Sequence, residues 1–147
     1  MGFLSEKCIN KVLTEEILSK SKTFKCGKDD LDDFFRDDAL LYAQQRLGKT
    51  YCFLLEEDPT VIVCLYTLTN SSIRTDLIPN NRGKKLEKNV PFPKRMRRYP
   101  TVLIGRLAIS KEYQGKGIGD ELMDIIKTQV IDEDYLTCAR YLAIIKL

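Results

Sequence analysis

Apolar residues fall into a few patterned stretches. Residues 5 to 13 alternate weakly and predict a strand. Phe24 to Gly27 is a short apolar stretch that the glycine breaks. From Lys28 to Gln45, Leu31, Phe34, Phe35, Leu41 and Tyr42 recur at helical spacing, which predicts one helix ending near Gly48. Tyr51–Leu55 and Val61–Leu68 are rich in β-branched and aromatic residues, and Glu57-Asp58-Pro59 between them is turn chemistry. The two predict an antiparallel hairpin. Thr101–Ile109 reads as a third good strand and ends in Ser110. Ile118, Leu122, Met123, Ile125, Ile126 and Val130 mark an amphipathic helix. Tyr141–Ile145 is a last apolar strand.

The order is therefore strand, helix, hairpin, strand, helix, strand. The final strand–helix–strand unit is long enough to join a parallel pair. The expected class is α/β (α+β), a mixed central sheet flanked by helices. At 147 residues, with neither repeat nor linker, the chain is expected to form one domain over residues 1–147.

Composition narrows the function. The longest apolar run is Val61–Tyr66, against roughly 20 residues for a membrane-spanning helix. Residues 1 to 10 carry Glu6 and Lys7 where a signal peptide would be apolar. A cytoplasmic protein without membrane contact is expected. Histidine is absent, and none of Cys8, Cys26, Cys52, Cys64 and Cys138 stands in a close pair. That excludes a zinc finger, a CxxC redox motif, Cys-His or Ser-His nucleophiles and any His-ligated metal. The thiols read as free core filler, and no metal is expected.

Charge is uneven. The net charge is +3, yet Arg82, Lys84, Lys85, Lys88, Lys94, Arg95, Arg97 and Arg98 crowd residues 82–98 with Glu87 as the only acid. That segment can face a polyanion or be a solvated loop around Asn80, Asn81, Gly83, Pro91 and Pro93, with room for a short helix. With only Phe92 and Tyr99 as aromatics, it does not read as a base-stacking platform. The opposite cluster, Asp29, Asp30, Asp32, Asp33, Asp37 and Asp38, lacks the glycine and terminal Glu of a calcium loop. It reads as a solvated helix face, favoured by the helix dipole.

The segment that carries chemistry is Gly105-Arg106-Leu107-Ala108-Ile109-Ser110-Lys111-Glu112-Tyr113-Gln114-Gly115-Lys116-Gly117-Ile118-Gly119. It is a strand, a glycine loop and a helix. Glycines let backbone N–H groups turn inward, and a helix start adds unpaired N–H groups and partial positive charge. Together they suit a phosphate or pyrophosphate. GxGxxG would require a glycine where Asp120 stands, and GxxxxGK[ST] is absent. A plain tight turn is the alternative reading of the glycine spacing.

Gln114-Gly115-Lys116-Gly117-Ile118-Gly119 resembles the Q/R-x-x-G-x-G/A loop of the GNAT superfamily of N-acetyltransferases. Arg106-Leu107-Ala108-Ile109 before it looks like that family's central strand. Phe24-Lys25-Cys26-Gly27, Leu31-Asp32-Asp33-Phe34, Tyr66-Thr67-Leu68 and Ile104-Gly105-Arg106-Leu107-Ala108 are similar to one GNAT branch, which includes the acetyltransferase toxins of bacterial toxin–antitoxin pairs. The resemblance runs from about Phe24 onward.

It implies that acetyl-CoA lies in a V-shaped gap between Thr101–Ser110 and Arg140–Ile145. Leu107, Ala108 and Ile109 would pair with its pantetheine arm, one of their N–H groups holding the oxyanion. Gln114, Gly115, Lys116, Gly117, Ile118 and Gly119 would cradle the pyrophosphate. Acetyl would pass directly to an amine of a small molecule or protein, on a side involving Tyr66–Arg74 and the basic loop. Two alternatives stand beside this: a toxin-like acetyltransferase of aminoacyl-tRNA, and an inactive CoA-binding or interaction module. The family's usual continuation, a helix with a tyrosine acid and two strands, has no counterpart by Leu147. The chain is expected to be C-terminally short, and neither a general acid nor a base is assigned. Tyr141–Ile145 is then expected as an exposed edge that invites a homodimer, and an antitoxin is a further expected partner.

Overall fold

The computed structural model describes residues 2–74, 82–86, 91, 98–132 and 141–144. Its helices are α1 (Phe3–Lys7), α2 (Glu15–Lys20), α3 (Asp29–Asp33), α4 (Ala39–Gln44), α5 (Arg82–Leu86) and α6 (Ile118–Ile131). Its strands are β1 (Cys8–Val12), β2 (Lys49–Leu55), β3 (Ile62–Arg74), β4 (Arg98–Ile109) and β5 (Tyr141–Ile144). They form one sheet in chain order. β1 to β4 are antiparallel neighbours, while β4 and β5 run parallel with α6 between them in the chain. The expected mixed sheet, hairpin and parallel pair are all present, as is the short helix within the basic segment. Among the described residues, no helix is long and apolar enough to cross a membrane.

Each face of the sheet has its own core. On one face, Leu4 of α1 and Ile118, Leu122 and Ile126 of α6 pack on Phe53, Val63, Cys64, Tyr66 and Leu68. The four-residue spacing along α6 aligns these side chains on one stripe. On the other face, Leu13, Cys26, Phe34, Phe35 and Ala39 pack on Cys52, Leu54, Ile62, Leu65 and Ala108. Two irregularities shift the alternation. Phe53 faces Cys64 but Leu54 faces Ile62, so Val63 is an extra residue and joins Cys64 in the same core. Thr67 faces Arg106 but Leu68 faces Ile104, so Gly105 is the extra residue of β4.

Three local expectations are corrected. Residues 5–13 are not one strand, because Phe3–Lys7 is helical and only Cys8–Val12 extends. The helix is held from afar: the carboxylate of Glu121 on α6 accepts from the N–H groups of Leu4 (2.8 Å) and Ser5 (3.1 Å) and from the Ser5 hydroxyl (3.1 Å). Gly2 lies directly beneath that carboxylate, where a Cβ would collide with it. Second, α2 was not anticipated. Its start is capped by Thr14 Oγ1, which accepts from the Ile17 N–H at 3.2 Å. Third, the helix expected over 28–45 is divided by a π-turn over Phe34–Asp38. The wider turn carries one extra residue, and both Phe34 and Phe35 reach the core.

Cys26, Cys52 and Cys64 are buried free thiols and Cys8 is partly so, while Cys138 lies outside the described residues. Burial pushes Cys8 up to about 11 and Cys52 up to about 12, and raises Cys64 as well. Tyr66 is also fully buried, and its phenol is pushed up to about 12 for the same reason.

Glu121→Ala should cost about 1–2 kcal/mol in urea unfolding, with faster amide exchange at Leu4 and Ser5. A second expectation concerns alkali. Above about pH 9 the unfolded chain ionises thiols and phenols that the fold keeps neutral, so the native state binds more protons and stability falls as pH rises. Urea midpoints should be flat from about pH 7 to 8 and decline from about pH 9 to 12, with a shallower decline for Cys52→Val.

Candidate functional site

β4 leaves the sheet at Ile109 and the chain turns through Ser110–Gly117 into α6. The first half of the turn is pinned by backbone. Ser110 N–H donates to the Val63 carbonyl, Lys111 N–H to the Lys25 carbonyl and Tyr113 N–H to the Ser110 carbonyl, each at 2.8 Å. The second half requires glycine, because Gly115 and Gly117 both have φ +76°. That left-handed backbone costs a residue bearing Cβ roughly 1–2 kcal/mol. Nothing lies within 4 Å of a Cβ built on either glycine, so both face open space. Gly117 precedes α6 and no side chain caps that helix. Its first-turn N–H groups are left for an anion, with the positive end of a helix dipole behind them.

The structure brings the nine expected residues into one strand–turn–helix corner, but their side chains do different things. Lys116 is exposed, with its ammonium 5.5 Å from the Tyr113 ring centre. The Gln114 amide donates to the Cys26 carbonyl at 2.6 Å and to the Ile109 carbonyl at 2.9 Å. Gln114 is thus a strut that ties the turn to the strand end and to the segment before α3. The Ile118 side chain is core, which leaves its backbone for the site. A Cβ on Gly119 would sit 3.4 Å from Ile109 Cδ1, so the helix approaches the strand closely there. Leu107, Ala108 and Ile109 pair on one edge with Tyr66, Leu65 and Cys64. On the other edge, β5 pairs with Thr101–Ile104, and among the described residues no strand pairs with Leu107–Ile109. An extended arm can add to such an edge as a strand does.

The acid cluster is a solvated face with one exception. Arg36 pairs with Asp33 and Asp37 at the surface, while Asp32 accepts the Cys26 N–H at 2.9 Å. Cys26 therefore joins Asp32 to Gln114, a link from α3 to the glycine turn that no local pattern announces. Among the described residues, no group of three Cys, Asp or Glu side chains is placed to hold a metal. Of the basic segment, Arg82, Lys84 and Lys85 stand exposed on α5 and Arg98 opens β4. Lys88, Lys94, Arg95 and Arg97 lie outside the described residues.

Two polar side chains beside the site, Tyr66 and Arg106, make contacts that no sequence pattern indicated. Tyr66 donates to Gln129 Oε1 at 2.9 Å and accepts from Asn10 Nδ2 at 3.1 Å, joining β1, β3 and α6. Its proton is committed to Gln129. Arg106 stacks on Phe34, with its guanidinium carbon 3.8 Å from the ring centre. A signal for it existed, since it is the lone charge between Val102 and Ile109.

An open strand edge, a left-handed glycine turn and an uncapped helix start thus follow one another on a mixed sheet. The chain belongs to the acetyltransferase (GNAT) family, whose pattern matches residues 14–145. It is 32% identical over 101 residues to the tRNA-acetylating toxin of Mycobacterium tuberculosis, covering 69% of this chain and 54% of that one. The chain thus spans about half the length of that curated relative. Among solved structures, it is similar to a tyrosine-to-phenylalanine variant of KacT, with a TM-score of 0.66 and 19% identity over 88% of this chain and 82% of that one. It is also similar to AtaT complexed with acetyl-methionyl-tRNAfMet, with a TM-score of 0.60 and 19% identity over 86% and 79% of the two chains. AtaTR bound with acetyl-CoA gives a TM-score of 0.61 and 22% identity over 84% and 67%. These likenesses establish a shared fold.

Gln114→Ala removes two hydrogen bonds from an otherwise exposed turn. Amide exchange across Ser110–Lys116 should accelerate several-fold while the unfolding midpoint moves by no more than about 1 kcal/mol.

Proposed function

We propose that residues 1–147 form an acetyl-CoA-dependent N-acetyltransferase domain that passes acetyl directly to an amine. The open β4 edge running into the glycine turn carries this reading. The backbone of Leu107, Ala108 and Ile109 serves as the rail for the pantetheine arm, and one of its N–H groups holds the carbonyl oxygen as negative charge develops. The backbone of Gln114, Gly115, Lys116, Gly117, Ile118 and Gly119 holds the pyrophosphate, with the Lys116 ammonium adding a full charge. The residues fit such a group: two glycines face open space and a helix start lacks a cap. When bound, acetyl-CoA supplies an activated thioester. The amine must arrive neutral, and the leaving thiolate must gain a proton.

The acceptor we favour is the amino group of an aminoacyl-tRNA. The named activity of the Mycobacterium tuberculosis relative supports it, as do the basic residues crowded between 82 and 98. A small-molecule or protein amine is the other acceptor class. Free buried thiols support a reducing, cytoplasmic setting. An antitoxin partner is suggested by the AtaT structures that contain one, and a homodimer by the exposed Ile144 on β5.

Titration calorimetry with acetyl-CoA should show about one site per chain. Gly117→Val forces a β-branched residue into left-handed backbone, and should weaken that binding at least about tenfold while the circular dichroism of the sheet stays unchanged. A folded wild type that binds no acetyl-CoA would overturn the enzyme reading in favour of an interaction module. Affinity for tRNA should fall steeply between about 50 and 200 mM salt. No binding even at low salt would remove the tRNA acceptor.

A further inference from the structure

Arg106 has no part in the acetyl-CoA site assigned above. Its side chain leaves β4 on the face it shares with Ala108, towards α3 and α4, whereas Leu107 and Ile109 pack on the opposite face. Its guanidinium carbon lies 3.8 Å from the centre of the Phe34 ring and 5.5 Å from that of Tyr42. The two rings are themselves packed edge to face, 5.2 Å apart, and form a fixed seat. Arg106 is partly buried, yet among the described residues no carboxylate pairs with it. The carboxylates flanking Phe34 in the π-turn, Asp33 and Asp37, are taken by Arg36 at 2.8 and 2.9 Å.

A half-buried cation that faces two rings and, among the described residues, no carboxylate carries a charge that packing on Phe34 does not require. Leucine or methionine would cover Phe34 without it. A guanidinium stacked on a ring keeps its N–H groups in the plane, where they point sideways and match a phosphate with two parallel bonds. Arg106 also stands one residue before the edge assigned to the acetyl arm. At about 3.3 Å per strand residue, its backbone lies one step from that edge.

Resting on the aminoacyl-tRNA reading, we propose that Arg106 anchors the acceptor. Its guanidinium, seated on Phe34 and Tyr42, binds a phosphate at the aminoacylated end of the RNA and thereby sets the amino group next to the acetyl carbonyl. It makes no covalent bond and moves no proton.

The test compares wild type, Arg106→Gln and Arg106→Lys on two acceptors: an aminoacyl-tRNA, and an amide-linked aminoacyl-adenosine that carries no phosphate. Acetyl-CoA affinity and melting temperature are measured alongside. Arg106→Gln should raise the KM for aminoacyl-tRNA at least about tenfold, as expected for a lost charged contact. Its acetyl-CoA affinity and its turnover of the phosphate-free acceptor should stay within about twofold of wild type. Arg106→Lys keeps the charge and the stem but loses the planar fork, so its KM should fall between the two. That expectation holds the test open even where Arg106→Gln does not fold. An unchanged KM in both variants, or equal losses on both acceptors, overturns the role of Arg106 and leaves acetyl transfer standing. A wild type that acetylates no aminoacyl-tRNA overturns the acceptor reading, and this inference with it.

Discussion

β4 is hydrogen-bonded along one edge over its whole length and, among the described residues, along the other only over Thr101–Ile104. β3 pairs with it from Arg98 to Ile109, whereas β5 meets it over Thr101–Ile104. The rest of the molecule follows from that asymmetry. Full pairing with β3 sets which core each residue of β4 enters, and the extra residue at Gly105 resets that alternation just before Arg106. Ala108 and Arg106 then face the α3–α4 layer, while Leu107 and Ile109 face α6. Among the described residues no strand pairs with Leu107–Ile109 on that second edge, just before the chain turns into a helix. An open strand edge is ordinarily a liability. Here it adjoins the glycine turn, where Gly115 and Gly117 face open space.

Long-range polar ties hold that corner in place. Gln114 spans from the turn to the Cys26 carbonyl, and Asp32 accepts the Cys26 N–H, so the acidic helix and the glycine turn share one residue. Glu121 serves as the cap of α1 although it sits in the first turn of α6. Its charge is thereby turned towards α1 and its hydrogen-bonding capacity used there. A carboxylate in that first turn suits the helix dipole but competes with an anionic ligand, and spending it on α1 reduces the conflict. On the same side of the sheet, Tyr66 joins Asn10 and Gln129. On the other, Thr50 and Thr67 share a buried hydroxyl contact of 2.7 Å.

The aromatic layer under α3 and α4 serves packing and charge together. Phe24, Phe34, Phe35 and Tyr42 meet in edge-to-face pairs. The π-turn brings adjacent phenylalanines into one core and leaves Arg36 outside to pair with Asp33 and Asp37. That surface pairing contributes little to stability. It does, however, occupy the carboxylates nearest Phe34, and among the described residues none pairs with Arg106.

β2 to β5, α6 and the glycine turn could be read from neighbouring residues alone. Each depends on neighbours close in the chain: the β-branched run at Ile62–Leu68, the four-residue spacing of Ile118, Leu122 and Ile126, and the left-handed demand at Gly115 and Gly117. Such local terms are written in adjacent residues, and they made the candidate cofactor site legible as a motif. α1, the π-turn, the strut made by Gln114 and the seat of Arg106 arise from contacts between distant segments. α1 has five residues, too few to nucleate a helix alone, and its N–H groups find their acceptor 117 positions away. Gln114 and Arg106 could be read as residues, but not what they touch. Their partners, Cys26 and Phe34, reach them only after the sheet has brought α3 over β4, and no pattern within a turn of either residue carries that information.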